Sequence, residues 1–320
     1  MELSEEILNK VKKLQEKYAV MGQDLVSYLD GLLYADYLTY WDYIHLDTLL
    51  SLQNPRTSFP DEEIFIMYHQ ITELFFKLSL HELEQIASKE DADLKYLTTR
   101  VKRVNRYFAN LTQSFEVMVD GMERDQFLKF RMSLLPASGF QSAQYRMIEI
   151  YATDFIHLVD KNHRAPFEEN PGTLREQFNF IYWKAGATEL ATGKKTLTLE
   201  QFERKYSESL ISLAESNVKR NLYFKYRLLE QNGEDASSLK YILRELDLLV
   251  NVNWPLSHYK SAVKYLQKDP EDIRATGGTN WQKYLPPRFQ KRIFYPGLWS
   301  SEEMENWGKG WVEEVMGIKL

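Results

Sequence analysis

The sequence contains no cysteine, and that absence excludes several kinds of site at once. A chain without thiols forms no disulfide, no iron–sulfur cluster, no cysteine-based zinc site and no haem held by or attached through cysteine. Because disulfides are common in secreted proteins, their absence fits a cytoplasmic protein, which is the location that we expect.

Long apolar runs and excess positive charge are also missing. No stretch of about 18 apolar residues occurs, so the sequence predicts no membrane-spanning helix. The net charge of −6 gives no attraction to nucleic acid or to an anionic membrane, and we expect neither as a partner. The first residues, MELSEEILNKVKKLQEKY, predict a charged amphipathic helix and not a signal peptide.

Glycine, proline and strand-like alternation are scarce. The 320 residues include only 14 glycines and 10 prolines, whereas 44% of the chain is hydrophobic. No internal repeat or long linker divides the sequence. We therefore predict a single all-α domain over residues 1–320, built as a helical bundle. The aromatic residues, 14% of the chain, suit an apolar ligand pocket as well as ordinary packing.

Residues 61–84, DEEIFIMYHQITELFFKLSLHELE, have the clearest helical period in the chain. Pro60 and three acidic residues stand at the start of this segment, where carboxylates favour the positive end of the helix dipole. Phe65 and His69 are one turn apart and therefore point the same way. Such a histidine either bonds to a nearby carbonyl or belongs to a binding site, and the spacing leaves both interpretations open.

The remaining helices follow from the same spacing rule. Apolar residues at helical intervals predict helices over 3–18, 94–118, 124–135, 141–159, 173–190, 199–232 and 239–268. The last of these is expected to be interrupted or to restart at Pro255. Proline, glycine and polar clusters predict loops at 53–60, 136–142, 160–172 and 275–279. Residues 24–52 are strongly aromatic, and Tyr40, Tyr43 and Ile44 share one helix face there.

Three further positions carry side chains suited to binding chemistry. His258 follows Trp254 by four residues, and in a cysteine-free helical protein it is either an axial haem ligand or a histidine bonded to a neighbour. Arg131 lies in the apolar segment FLKFRMSLL, where it either reaches solvent or an acid, or binds a ligand carboxylate with two hydrogen bonds. Residues 276–278, TGG, form either a short turn or an anion site. Zinc-peptidase, nucleotide-binding and serine-hydrolase motifs are absent.

Five motifs follow one another along most of the chain. They are YWDYIHLDTLLSLQ at 40–53, FIMYHQ with EL and K at 65–77, FR with PASGFQS at 130–142, W-x-x-x-H at 254–258, and TGG with YPGLW at 276–299. In this order they resemble the motifs of the tryptophan 2,3-dioxygenase family, a family of haem enzymes. The segment PASGFQS is the most specific of the five.

The resemblance implies a haem b cofactor, one per subunit and ferrous in the active state. His258 would be the proximal ligand of the haem iron, and Trp254, Ser138 and Gly139 would line the haem pocket. His69 would lie on the other side of the haem, where it would act as a catalytic residue and hydrogen-bond to the indole N–H of the substrate.

The resemblance also implies a binding site for L-tryptophan beside O₂. Phe65 and Phe127 would contact the substrate, with Phe65 packed against the indole ring. Arg131 would hold the carboxylate, and Thr276 would contact the ammonium or carboxylate end. The reaction would insert both atoms of O₂ across the indole C2–C3 bond and give N-formylkynurenine, a step of tryptophan catabolism by the kynurenine pathway.

Part of the expected pocket would come from a neighbouring subunit. Tyr40, Tyr43 and Ile44 would close the pocket of that neighbour, so residues 1–52 would reach across the interface. The resemblance implies a homotetramer, a dimer of dimers, as the assembly in which this happens.

The sequence departs from the family pattern at positions that bear on substrate preference. Phe127 stands where many bacterial members have tyrosine, and Thr279-Asn280-Trp281 follows TGG where the family has Ser-Ser-Gly. The first alternative is therefore a haem-dependent monooxygenase that hydroxylates aromatic amino acids on the same scaffold. A non-catalytic haem-binding protein and a haem-free helical scaffold are the others.

Overall fold

The computed structural model describes residues 3–134, 139–188, 194–266 and 287–309. The contacts within the chain divide it into two compact units, residues 1–53 and residues 54–320. The single-domain organisation that we expect stays a prediction, and so does the cytoplasmic location.

The described part of the first unit consists of short helices: α1 (Glu5–Ala19), α2 (Leu25–Tyr34), α3 (Tyr40–Tyr43) and α4 (Leu46–Leu49). The first three begin where a side chain of Ser4, Asp24 or Thr39 accepts a hydrogen bond from a backbone N–H of the first turn. No residue in these four helices is buried within the chain. Large apolar side chains are therefore left on the surface of this unit.

The second unit begins with the predicted helix, α5 (Asp61–Ser88), followed by α6 (Leu94–Ser114), α7 (Glu116–Asp120) and α8 (Arg124–Phe130). The helix predicted over 94–118 thus breaks at Phe115. The helix predicted over 124–135 changes at Arg131 into a 3₁₀ turn, Arg131–Leu134.

The central part of this unit contains α9 (Ala143–Ala152), α10 (Ala165–Glu169), α11 (Leu174–Asn179), α12 (Tyr182–Gly186), α13 (Leu197–Asn217) and α14 (Leu222–Gln231), with 3₁₀ turns at Gly139–Gln141 and Phe155–Leu158. The helix predicted over 199–232 is two helices, because Asn221 accepts a hydrogen bond from the N–H of Phe224 and starts α14. Helix α10 lies inside the loop predicted at 160–172.

The last described elements are α15 (Ser237–Leu248), a π-turn (Leu249–Asn253), α16 (Trp254–Leu266), α17 (Pro287–Gln290), a 3₁₀ turn (Pro296–Leu298) and α18 (Ser301–Glu305). In the segment predicted as helix over 239–268, α15 and α16 are thus joined directly by a π-turn that lies just before Pro255. In the described ranges only two isolated β-bridges occur, so the all-α fold class is confirmed. None of the described helices is long and apolar enough to cross a membrane.

Helix α5 is the centre of the packed core. It packs against α6 and α9, and α6 packs in turn against α15. Buried apolar side chains fill these interfaces, among them Phe76, Leu83, Val101, Phe108 and Leu243. Each fully buried side chain of this size stabilises the fold by about 1.5–3 kcal/mol. The helix that carries His69 is therefore held by a large part of the core.

His157 is half-buried in the 3₁₀ turn that follows α9. Its Nδ1 atom is 2.8 Å from Thr153 Oγ1, and the Thr153 hydroxyl donates to the carbonyl oxygen of Phe294. Because that hydroxyl hydrogen is used, Nδ1 must donate to Thr153. Burial lowers the pKa of His157 to about 4, with Asp154 opposing the shift.

We expect His157 to make folding stability depend on pH. In the unfolded chain a histidine has a pKa near 6.5, so below about pH 6.5 the unfolded state gains a proton that the folded state does not bind. The stability contributed by the neutral ring is present above that pH and is lost as the pH falls towards 4. Against His157→Asn, the wild type should lose about 1–3 kcal/mol between pH 7 and pH 4.5 in urea titrations. If the free energies of unfolding of the two proteins change in parallel with pH, the prediction is wrong.

Candidate functional site

The start of α5 is fixed by two buried acidic residues. Glu62 accepts hydrogen bonds from the backbone N–H groups of Arg56 and Thr57, at 2.8 and 2.7 Å, and from the Thr57 hydroxyl. Asp61 accepts a bond of 2.5 Å from the N–H of Glu123, just before α8. These contacts tie the preceding loop and α8 to the turn of α5 that carries Phe65.

His69 and Phe65 form the first half of the site, on adjacent turns of α5. Their ring centroids are 4.1 Å apart, and Nδ1 of His69 lies 2.7 Å from the carbonyl oxygen of Phe65. A carbonyl oxygen only accepts hydrogen bonds, so Nδ1 carries the hydrogen and Nε2 keeps a lone pair. The sequence had left open whether His69 bonds to a carbonyl or serves a site, and this geometry allows both.

The imidazole of His69 is both accessible and surrounded by protein. Its side chain keeps exposed surface, yet desolvation lowers its pKa, while the Phe65 carbonyl and the charge of Glu73 oppose that shift. Near neutral pH the ring is therefore uncharged, and its Nε2 atom can accept a hydrogen bond.

His258, on α16, forms the second half of the site and repeats the same local arrangement. Its Nδ1 atom is 3.1 Å from the carbonyl oxygen of Trp254, one turn earlier. Nδ1 therefore donates, and Nε2 again keeps its lone pair. Burial lowers the pKa of His258 to about 4, and the nearby imidazole of His69 lowers it further. The two rings are thus close enough to interact electrostatically.

Aromatic side chains surround His258 and reach the residue next to His69. The ring of Phe115 lies 4.5 Å from His258, 5.2 Å from Trp254 and 5.6 Å from Tyr68, the residue before His69. The ring of Trp254 is 4.4 Å from His258. One side of the site is therefore apolar and closely packed.

Helix α8 supplies the other aromatic contacts. Phe127 and Phe130 lie 6.3 and 5.8 Å from Phe65, and Phe127 is 4.9 Å from Tyr265 on α16. Arg131 follows Phe130 directly, at the start of the 3₁₀ turn. Desolvation lowers the pKa of Arg131, so its guanidinium is partly removed from water. In that environment its attraction to a carboxylate is stronger than at the surface.

The structure brings together only part of the predicted site. Ring contacts place the predicted residues in two sets: Phe65, His69 and Phe127 belong to one, and Trp254 and His258 to the other. Arg131 directly follows Phe130, a ring of the first set. Three predicted residues belong to the first unit, at exposed or half-exposed positions: Tyr40, Tyr43 and Ile44. Ser138 and Thr276 lie outside the described residues, and of Gly139 only the backbone is described.

The sequence predicts no site role for Phe115, Tyr68 and Tyr265. The first two belong to apolar helix faces, so their spacing is that of ordinary core residues. Only the packing of α6 against α16 makes Phe115 a neighbour of His258. No local signal in the sequence distinguishes such a residue from the rest of the core.

The arrangement defines a class of protein: an all-helical fold in which two neutral imidazoles from distant helices lie near one another, each beside aromatic rings. Residues 32–223 match the tryptophan 2,3-dioxygenase family. This match covers His69 and Arg131 and ends before His258. The chain belongs to the tryptophan 2,3-dioxygenase family and is an oxidoreductase.

Individual relatives extend the match beyond residue 223. A tryptophan 2,3-dioxygenase of Bacillus thuringiensis subsp. konkukian is 39% identical over 270 residues, which are 82% of this chain and 91% of that protein. One from Herpetosiphon aurantiacus is 29% identical over 267 residues, 82% of this chain and 96% of its own. One from Ruegeria sp. strain TM1040 is 40% identical over 120 residues, 36% of this chain and 42% of its own.

Proposed function

We propose that this protein is a haem-dependent dioxygenase that cleaves the indole C2–C3 bond of L-tryptophan with O₂ and gives N-formylkynurenine. The observation that carries the proposal is the pair of neutral imidazoles on α5 and α16, which lie near one another and each keep an Nε2 lone pair. Membership of the family supports the reaction, and the names of the relatives support tryptophan as the substrate.

The residues around His258 fit a haem. A porphyrin supplies four nitrogen ligands, so the iron needs a neutral axial imidazole with a lone pair and an apolar surrounding. The depressed pKa of His258 keeps its ring neutral, and the bond from Nδ1 to the Trp254 carbonyl holds the tautomer and orientation of a ligand. Phe115 and Trp254 supply the apolar surface. When bound, ferrous haem supplies the one-electron chemistry that lets O₂ react with a closed-shell indole.

His69 and its aromatic neighbours suit the indole of the substrate. An Nε2 lone pair accepts a hydrogen bond from an indole N–H, which is a donor only. Phe65 and Phe127 offer ring faces for stacking beside it. In this proposal the histidine orients the indole by accepting its hydrogen bond, because the lowered pKa of His69 keeps Nε2 unprotonated.

We expect Arg131→Leu to raise the KM for tryptophan by about ten- to a hundredfold, since a charge-assisted hydrogen bond contributes about 1.5–3 kcal/mol. The reason is the partly desolvated guanidinium of Arg131, which we propose binds the substrate carboxylate. Steady-state kinetics with tryptophan provides the measurement. Lys129→Leu, two positions away on the exposed face of α8, removes the same charge and should leave KM unchanged. If both variants have equal KM values, the proposal that Arg131 binds the substrate carboxylate is wrong.

Three assignments are proposed from the resemblance alone. Ser138 and Gly139 would line the haem pocket, and Thr276 would contact the ammonium or carboxylate end of the substrate. Single substitutions to alanine at Ser138 and Thr276 should each be assayed for haem content and for KM. A lower haem content indicates a haem contact, and a raised KM indicates a substrate contact.

We propose a homotetramer, which the family resemblance implies, and the large apolar side chains that the first unit exposes support contacts with other subunits. Among its large apolar residues, Val20 is 89% exposed and Tyr37 is 98% exposed. Tyr40 and Tyr43 belong to the same exposed set, at 70% and 72%. In this assembly they would complete the substrate pocket of a neighbouring subunit.

Mixed tetramers test that sharing of sites. A chain with Arg131→Leu keeps its Tyr43, and a chain with Tyr43→Ala keeps its Arg131. If Tyr43 acts on a neighbour, coexpressed chains form some sites with both residues intact, and activity returns above that of either variant alone. If Tyr43 acts within its own chain, no mixed site is intact and activity stays low. The measurement is turnover of tagged, purified mixed tetramers.

The decisive test of the reaction is the mass of the product formed from tryptophan and ¹⁸O₂. Two labelled oxygen atoms in one product of formylkynurenine mass are expected. A product with one labelled atom would favour the aromatic monooxygenase instead. Bound haem with no product would favour a non-catalytic haem-binding protein.

A further inference from the structure

The π-turn that joins α15 to α16 determines where His258 points. Within it, the N–H of Trp254 donates to the carbonyl oxygen of Leu249, five residues earlier, instead of four as in an α-helix. One additional residue in a turn rotates the helix that follows by about 100°. The face of α16 on which His258 lies is therefore decided by whether this π-turn forms.

Pro255 leaves the π-turn without its next backbone bond. The following bond of the same pattern would join the N–H of residue 255 to the carbonyl oxygen of Val250, and proline has no N–H. The Val250 oxygen instead accepts a bond of 3.0 Å from the Tyr145 hydroxyl and one of 3.2 Å from Nη2 of Arg292. Two side chains from distant parts of the chain thus supply the donors that the proline cannot.

A buried network holds those two donors in place. Arg292 is 4% exposed, its Nε donates to Oδ1 of Asn251 inside the π-turn, and its Nη2 donates to the Tyr145 hydroxyl at 2.7 Å. Glu149 pairs with Nη1 of Arg292 at 2.6 Å and balances its charge. The Asn251 amide donates in turn to Asp247, at 2.6 Å. Both the main chain and a side chain of the π-turn are therefore anchored.

We propose that Tyr145 and Arg292 are positioning residues that stabilise the π-turn and thereby direct the His258 imidazole to its ligand. The proposal rests on the proposed function, in which His258 binds the haem iron. Neither residue is a ligand in this account. They act by holding the Val250 carbonyl in place. That contact fixes the rotation of α16 about its own axis.

Two conservative variants test the proposal: Tyr145→Phe, which removes the hydroxyl but keeps the ring that packs on Phe76, and Arg292→Lys, which keeps the charge. In haem-free protein, amide hydrogen exchange over residues 249–254 should become about fivefold faster or more, the effect of losing a buried hydrogen bond. In ferrous haem-loaded protein, the iron–histidine stretching band in the Raman spectrum should shift or broaden.

The control is Arg164→Lys. Arg164 also donates Nη2 to two backbone carbonyls, those of His157 and Val159, at 3.0 Å each, but it bonds away from the π-turn. Its substitution should leave the exchange of residues 249–254 and the Raman band unchanged. If it alters them as much as Arg292→Lys does, a general loss of packing explains the result and the proposal is wrong.

A compensating variant makes the test specific to the missing backbone donor. Pro255→Ala restores an N–H at residue 255, so it should reduce the effect of Tyr145→Phe on exchange and on the Raman band. Additive effects of the two substitutions would overturn the proposal. If Arg292→Lys does not fold, Tyr145→Phe with and without Pro255→Ala decides the question.

The outcomes also separate this proposal from the proposed function. If removal of the His258 imidazole leaves haem binding intact, the function is wrong, while the exchange data on haem-free protein still report on the π-turn. If Tyr145→Phe and Arg292→Lys show wild-type exchange and a wild-type Raman band, only the positioning role is wrong.

Discussion

Replacing His258 with glycine is expected to abolish stable haem binding. The wild-type ring is neutral, has its Nδ1 hydrogen bonded to Trp254 and presents Nε2, which is the state that an iron ligand requires. Loss of a residue that merely supports a metal ligand lowers metal affinity by about 10- to 100-fold, so loss of the ligand itself should exceed that range. Titration of the purified apoprotein with haem, followed by its Soret band, measures the affinity.

Imidazole and a second histidine variant serve as the controls for this experiment. Free imidazole should enter the space left by His258→Gly and restore the Soret band, which shows that the fold has survived. His69→Ala should bind haem like the wild type but turn over tryptophan slowly, because we assign His69 to the substrate. Haem loss in His69→Ala, or full haem binding in His258→Gly without imidazole, would reverse the assignment of the two histidines.

The second large effect is expected at Glu149, which is fully buried between two arginines. Its carboxylate oxygens lie 3.1 Å from Nη1 of Arg146 and 2.6 Å from Nη1 of Arg292. Burial raises the pKa of Glu149, and the two guanidinium groups oppose that shift. Glu149→Gln keeps the shape but leaves two buried cations without a counter-charge, which should destabilise the fold by about 3–5 kcal/mol. Urea unfolding at pH 7 measures the change.

An exposed ion pair provides the matched control. Glu208 also binds an arginine, Arg175, with two hydrogen bonds of 2.8 and 2.7 Å, but both side chains are in solvent. Surface pairs contribute little because water and salt screen them, so Glu208→Gln should leave the unfolding midpoint nearly unchanged. Similar unfolding midpoints for the two variants would contradict the prediction, because burial would then not increase the loss of stability at Glu149. A Glu149→Gln chain that fails to fold, beside a well-folded Glu208→Gln chain, would agree with the prediction.

The helices were largely predictable because apolar spacing is a local property. Helix α5 was predicted with its start at Asp61, where the acidic residues and Pro60 give a clear signal. The breaks at Phe115 and at Asn221 were not predicted, because apolar periodicity continues across both positions. An interruption at Pro255 was predicted, but its form, a π-turn, was not, since the donors that stabilise the turn come from Tyr145 and Arg292, far away in the sequence.

The sequence by itself determined the all-α class, the family and the identity of the candidate ligand side chains. Those properties depend on residue type and on spacing over a few turns, or on motifs that stand in a fixed order. Only the tertiary structure decided that the His69 and His258 rings lie near one another, that both keep Nε2 available, and that Arg292 and Tyr145 support the turn before α16. Such facts depend on how distant helices pack, because burial and hydrogen-bond partners are set by neighbours in space and not by neighbours in the chain.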